Sequence, residues 1–314
     1  MSESAQLGAL VATARASEIG TFHALLDSVD PQQAQVWAVL QGVTESDRDA
    51  IAARPEVRHV IASDLLPLSH ARNLALHEIY SAAAASGVTP AYVGFPDADG
   101  RYAPGALAAV TSAFAAGADF VVGRYGPQGQ PFDDARFPTE PGPMDWALAR
   151  QRATSVTLFL SGRTAYDLGY VVPYLGLGTP WPAGEDVELA LRALRRGYSG
   201  VYEPSAVTWH PYGTELNPAR RPVRYLLVAA YPPPLGSVST AAARLRGGPS
   251  VPASQAGPTQ AQSTTSVGLS AELRALAKGL APTAVRRLTS FARATPDEQW
   301  VLVQRDGPTG SARP

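Results

Sequence analysis

The stretch Tyr92-Val93-Gly94-Phe95-Pro96-Asp97-Ala98-Asp99-Gly100 governs how the rest of the chain is read. A short apolar run closed by proline predicts a buried strand over Ala91 to Phe95 that stops at Pro96. Asp97 and Asp99 are two residues apart, so beyond a strand's carboxyl end they emerge on one side and can converge on one hard cation. Turns also favour aspartate for its own hydrogen bonding, so an Asp-x-Asp alone is weak evidence of a metal. Its weight rests on the segments around it.

Outward from that stretch, short apolar runs alternate with helical patterns as far as about residue 230, the signature of an α/β domain. Strands are predicted over Leu7 to Thr13, Val36 to Gln41 and Val57 to Ala62, with helices over Phe22 to Ser28, Glu45 to Ala53 and Ala71 to Ala85. Next come a helix over Ala106 to Ala116 and a strand over Phe120 to Val122, then a long loop from Arg124 to Pro143 rich in Gly, Pro and Asp. A strand over Ser155 to Leu160 and a short helix over Arg163 to Leu168 precede a second Gly/Pro loop, Gly176 to Gly184. From Asp186 to Arg196 the apolar Val187, Ala190, Leu191 and Leu194 recur at helical spacing, and Gly197 is a stop signal. Two short strands, Val201 to Tyr202 and Ala206 to Trp209, lead to His210.

Composition narrows the function. The 314 residues are 45% apolar and 17% charged, which suits a folded globular protein with a sizeable core. A net charge of −1 removes the electrostatic ground for a dedicated nucleic-acid binder. There is no cysteine, so disulfides, thiolate zinc sites and cysteine nucleophiles are excluded, and any metal must be held by oxygen and imidazole ligands. Lys278 is the one lysine among 26 basic residues, which leaves mechanisms that require lysine a single candidate. The N-terminal residues lack the pattern of a signal peptide and no segment has the length of a transmembrane helix, so a cytoplasmic protein is expected.

The pattern changes near Pro232. From there to Ser266, Pro, Ser, Thr, Ala, Gly and Gln dominate without apolar periodicity, which predicts a flexible linker. The expected division is a catalytic domain over 1–232, a linker over 233–268 and a basic helical tail over 269–314. Leu269, Leu273, Leu276 and Leu280 share a helical face, which Val285, Leu288 and Phe291 continue after a break at Pro282. Paired with Arg274, Lys278, Arg286, Arg287 and Arg293, this amphipathic helix has two expected uses. It lies peripherally on the anionic inner face of the membrane, or it docks on the catalytic domain or another subunit. Residues 233–314 carry a net +5 and residues 1–232 a net −6.

Two further features support a site at Asp97 and Asp99. Gly184-Glu185-Asp186 sets adjacent carboxylates at a helix start, where the macrodipole favours their ionised forms. Glu203 to His210 then delivers a histidine just after a strand. In order, Leu68-Ser69-His70-Ala71-Arg72-Asn73-Leu74-Ala75, Phe95-Pro96-Asp97-Ala98-Asp99, Trp181-Pro182-Ala183-Gly184-Glu185-Asp186-Val187-Glu188-Leu189 and His210 resemble the family 2 glycosyltransferases. The resemblance covers about residues 7 to 212, and the four ordered motifs are far more specific together than singly.

The resemblance implies a GT-A fold, a nucleotide-diphospho-sugar transferase domain of Rossmann-like type, and transfer with inversion at the sugar. Asp97 and Asp99 match the element that grips the donor's diphosphate through Mn²⁺ or Mg²⁺, and His210 matches the histidine that completes the metal site in some members. Asp186, with Glu185 as its nearby alternate, matches the base that takes the acceptor hydroxyl's proton. Arg72 and Asn73 match an element that supports the donor near the diphosphate, and Thr13, Arg15 and Glu18 occupy the loop where relatives contact base and ribose. Gln41 is placed to hydrogen-bond a uracil edge, and Trp181 is a candidate platform for a sugar ring of the acceptor. UDP is the family's commonest nucleotide. The Gln-x-x-Arg-Trp element of the processive polymerases is absent, which implies transfer of single sugars to a glycan or lipid-linked acceptor.

Other readings make distinct demands. Asp97-Ala98-Asp99-Gly100 also resembles the nucleophile loop of haloacid-dehalogenase-type phosphatases, but that loop usually lies near the start of the domain and needs a later lysine. Sugar-nucleotide pyrophosphorylases would show a Gly-rich first loop with a nearby Arg and Lys, which the segment after Val11 lacks. A non-enzymatic alternative is a degenerate domain of the same fold that binds a nucleotide sugar and scaffolds a glycan-assembly complex.

Overall fold

The computed structural model describes residues 6–132, 137–211, 223, 226–227, 229–232 and 281–306. The first half alternates strand and helix. In chain order it comprises β1 (Gly8–Arg15), α1 (Ile19–Leu26), β2 (Ala34–Gln41), α2 (Glu45–Ala52), β3 (Val57–Ser63), α3 (Leu68–Ser86), β4 (Tyr92–Gly94), β5 (Arg101–Tyr102) and α4 (Ala106–Ala115). The second half comprises β6 (Phe120–Gly126), β7 (Gly142–Met144), α5 (Trp146–Arg152), β8 (Leu158–Ser161), α6 (Gly162–Leu168), α7 (Glu185–Arg195) and β9 (Gly200–Trp209), and two C-terminal helices follow, α8 (Ala281–Arg293) and α9 (Pro296–Asp306).

All the strands join one sheet in the order β3-β2-β1-β4-β8-β6-β9-β5, with β7 paired to β9. β3, β2, β1 and β4 run parallel; β1, β2 and β4 are largely buried on both faces, which explains their apolar sequences, while β3 at the sheet edge is partly exposed and carries Arg58 and His59. β8 enters antiparallel between β4 and β6. The α/β fold of GT-A type expected from the sequence is the fold observed. Strands advance outward from β1 through β2 to β3, and the chain then returns to the other side of β1 to form β4. The carboxyl ends of β1 and β4 therefore flank a topological switch point, where open α/β sheets form their crevice.

Several boundaries differ from expectation for identifiable reasons. The two short strands expected around Glu203-Pro204-Ser205 are one strand, β9, whose register against β6 shifts between Val122 and Arg124. Pro204 offers no N–H to a ladder, and a Cβ on Gly123 would lie 2.0 Å from the Ala206 carbonyl oxygen, so this irregularity needs both residues. Ser155–Thr157 forms a 3-10 turn, and strand β8 begins at Leu158. The expected loop after Arg124 yields the end of β6 and, later, the short β7.

Pro282, read as a break, sits in the first turn of α8, where a missing N–H costs nothing. Leu288 and Phe291 are buried on the domain, with Phe291 over the Arg192 guanidinium of α7. In α9, Gln299 is fully buried and its Oε1 accepts the Tyr170 amide at 2.7 Å, while Trp300 stacks on His77 of α3 at 4.0 Å. The apolar face at Leu288 and Phe291 is thus covered by protein, not free for a membrane, and the leucines from Leu269 to Leu280 lie outside the described residues. No helix among the described residues is long and apolar enough to cross a membrane.

This docking has a measurable consequence. Phe291→Ala is expected to lower the unfolding free energy of the full chain by about 3–5 kcal/mol, read by urea denaturation followed through Trp fluorescence. An unchanged midpoint would mean that α8 contributes nothing to the domain.

Candidate active site

The site begins where β4 ends. Ala98 points into the core, so its neighbours Asp97 and Asp99 are left outside it, half-buried and exposed respectively, and a turn from the Gly100 amide to the Asp97 carbonyl closes the loop. Asp97 forms a parallel bridge with Thr13 at the end of β1, which fixes it at the switch point. The chain then pairs β5 antiparallel with the end of β9, Arg101 opposite Trp209. That pairing brings Asp99 beside His210, with His210 Nε2 3.1 Å from Asp99 Oδ1 and 3.7 Å from Asp97 Oδ2.

Ligand atoms of Asp97, Asp99 and His210 all lie within 4.8 Å of one another. Two carboxylate oxygens and an imidazole nitrogen are a donor set that suits Mn²⁺ or Mg²⁺, so the residues present fit the expected divalent cation. Without a cation, the hydrogen bond from His210 holds the Asp99 carboxyl below its ordinary range. Burial opposes charge on His210, but Asp99 and Asp97 outweigh it and raise the imidazole above its usual value. A metal must displace that proton, so binding is expected to strengthen as pH rises.

Arg72 of α3 ties this cluster to the second carboxylate pair. Its guanidinium is 2% exposed and lies 2.9 Å from Asp97 Oδ1 and 3.0 Å from Glu185 Oε1. Glu185 and Asp186 open α7, whose capping residue Gly184 has φ +88; a Cβ there would press on Val223 at 2.7 Å. Glu185 is buried against Arg72, whereas Asp186 is only half-buried. Asp186 accepts the Val187 amide at 2.7 Å and the Ser155 amide at 3.0 Å. Desolvation first, then the charge of Glu185, push its carboxyl up to about 7 against the opposing pull of those amides and of Arg72. The Asp186 carboxyl is thereby shifted toward taking up a proton near neutral pH.

Other expected residues fall in different places. Asn73 is fully buried; its Nδ2 donates to the Val171 carbonyl and its Oδ1 accepts the Val171 amide, at 2.8 Å each, which fastens the segment after α6 to α3. Gln41 is 3% exposed and its Oε1 accepts the Leu66 amide at 2.7 Å, which holds the loop after β3. Glu18 accepts the Arg15 amide at 2.8 Å and caps the turn after β1, leaving Thr13 and Arg15 half-buried at the crevice end of that strand. Trp181 is half-buried against the core, in the loop whose Gly176 amide bonds its carbonyl. Ser155 was not singled out by any sequence signal, yet its Oγ reaches Asp97 Oδ1 at 3.3 Å and its amide reaches Asp186.

No family model and no curated protein matches the sequence. Solved structures match it in shape. S. aureus TarS, residues 1–349, aligns with a TM-score of 0.51 at 14% identity over 71% of this chain and 63% of that one. The same TarS segment in complex with UDP matches at 0.50 and 14% identity, over 72% of this chain and 65% of that one. In complex with UDP-GlcNAc it matches at 0.50 and 13% identity, over 67% and 59%. The chain thus spans less than two thirds of each TarS chain, and at such identity the likeness establishes the GT-A-like fold alone.

Two outcomes follow from the geometry. Arg72→Ala is expected to cost about 3–5 kcal/mol in chemical denaturation, because it leaves Glu185 buried without its counter-charge. The folded Asp186 carboxyl titrates above its unfolded value, so the native state binds the extra proton and this group's contribution to stability falls as pH rises from about 4 to 7. Asp186→Asn removes that dependence, and the stability difference between the two proteins should shift toward the variant across this window.

Proposed function

We propose that the chain is a glycosyltransferase that moves a single sugar from a nucleotide-sugar donor, a UDP-sugar, to a hydroxyl of a glycan or glycolipid acceptor, with inversion and with Asp186 as the base. The observation that carries this reading is the Asp97-Asp99-His210 cluster at the crevice of a GT-A-like sheet, with a raised carboxyl at Asp186 joined to it through Ser155. The TarS structures that share the fold hold UDP and UDP-GlcNAc, which supports a nucleotide-sugar donor.

Asp97, Asp99 and His210 would hold Mn²⁺ or Mg²⁺, and the cation, when bound, supplies positive charge against the diphosphate that leaves. Arg72 spaces the two carboxylate sets and sets its own positive charge behind Asp97. Asp186 accepts the proton of the acceptor hydroxyl as that oxygen attacks the anomeric carbon, and the Ser155 and Val187 amides hold its carboxylate in place. One base and a direct displacement suffice for inversion. Thr13 and Arg15 border the nucleotide side of the crevice, and Trp181 borders the acceptor side from the loop before α7. The phosphatase reading has a single lysine to call on, Lys278, which lies outside the described residues.

Calorimetric titration of UDP with Mn²⁺ and with EDTA tests the donor assignment. Binding is expected only with the metal and is lost in Asp99→Ala. With a UDP-sugar and a suitable acceptor, turnover should rise with pH through a midpoint of about 7. Asp186→Asn should abolish it, about 100-fold or more, without loss of UDP binding. Metal-dependent binding with no turnover on any UDP-sugar would favour the scaffold reading; no binding of UDP, GDP or dTDP would overturn the donor site.

A further inference from the structure

A second cluster of charge lies at the far end of the helix that carries Asp186. Arg192, Arg195 and Arg196 on the last turns of α7 meet Arg293 at the end of α8 around a cleft of about 470 Å³, closed by Tyr231 and by Thr295 at the α8–α9 junction. From Asp186 to Arg196 the helix rises roughly 15 Å, so this cleft is separate from the crevice of the sheet. Its volume falls within the range of roughly 300–1,000 Å³ typical of small-molecule sites.

The charge in this cleft is compensated in part. Arg192 is 1% exposed, pairs with Glu188 at 2.8 Å and donates to the Leu168 and Tyr170 carbonyls, while its Nε has no hydrogen-bond partner among the described residues. Arg195 and Arg196 bond only backbone carbonyls, those of Ala230, Asp167 and Ala292. Arg293 is exposed and makes no hydrogen bond or ion pair among the described residues. The nearby carboxylates are engaged elsewhere: Asp167 accepts the Tyr198 hydroxyl, and Glu298 accepts the amide and hydroxyl of Thr295. Neither comes within 4.0 Å of a guanidinium among the described residues. Burial, and then the charge of Arg192, pull Arg196 below its ordinary value against the opposing influence of Tyr198, Asp167 and Glu188.

Like charges held together by a fold are unfavourable until an anion joins them, and several planar guanidinium forks around one cleft suit a tetrahedral oxyanion that can accept paired N–H bonds. We infer that this cleft between α7 and α8 is a second ligand site, one that binds a phosphoryl or diphosphoryl group independently of the metal cluster. The group is carried either by a small soluble phosphate compound or by a lipid headgroup, and the chemistry of recognition is the same for both. The separation from Asp97 and Asp99 makes such binding independent of a divalent cation.

The test is calorimetric titration of inorganic phosphate and pyrophosphate into the full chain in EDTA, repeated on Arg293→Glu, Arg293→Lys and Asp99→Ala. Among the described residues Arg293 makes no hydrogen bond or ion pair, so its variants should fold normally, which their melting curves check. Pyrophosphate is expected to bind at one site, at least tenfold more weakly in R293E, with partial recovery in R293K and no change in D99A. Co-sedimentation with phosphatidic acid vesicles identifies the source: pelleting that R293E abolishes assigns a lipid headgroup, and pyrophosphate binding without pelleting assigns a soluble ligand. No binding of phosphate, pyrophosphate or vesicles, or binding that R293E leaves intact, would overturn the site.

Discussion

The guanidinium of Arg72 is the interaction on which the site depends. It is almost wholly buried and bridges Asp97, at the end of a central strand, to Glu185, at the start of α7. These residues are separated by 88 positions in the chain, and nothing local holds them together. Arginine suits the place because its planar fork addresses two carboxylates in fixed directions and stays charged when desolvated. Taking such a trio out of water costs heavily, and the mutual attraction of the three charges offsets that cost only when β4 and α7 are held in this relative placement.

Around that bridge, neutral groups complete the geometry. Ser155 reaches Asp97 with its hydroxyl and Asp186 with its amide, so a short 3-10 turn before β8 couples the two carboxylates. The β5–β9 pairing closes the far side and delivers His210 to Asp99. Gly184 lets the start of α7 sit against Val223 and Leu227, which makes chain beyond the sheet part of what positions Glu185 and Asp186. The raised Asp186 carboxyl is therefore a product of packing: burial and Glu185 lift it, and the neighbouring amides limit the rise.

Much of the candidate site was legible because its chemistry is carried by residue types in short motifs. Asp97, Asp99, Asp186 and His210 were identifiable from carboxylates at a strand end and a helix start and from a histidine after a strand. Arg72 was identifiable from its motif, but its two partners were not, since no spacing rule joins position 72 to 185. The backbone partners of Asn73 and Gln41 were not legible for a related reason. Their amides bond Val171 and Leu66, and no local pattern joins position 73 to 171 or 41 to 66. Ser155 left no signal because one hydroxyl in an apolar run has no periodicity.

The sequence by itself determined the alternation of strands and helices, the apolar runs of the central strands, and the carboxylates available for chemistry, since these follow from local pattern and residue type. The tertiary structure alone decided that Glu185 is locked to Arg72 and that the Asp186 carboxyl is raised. It also decided that the stripe of Leu288 and Phe291 is spent on the domain, and that four arginines from two distant helices face one cleft. An amphipathic pattern states that a face must be covered, and a charge states that it seeks a partner. Both are satisfied across the chain, and the identity of the partner is fixed only when the whole fold closes.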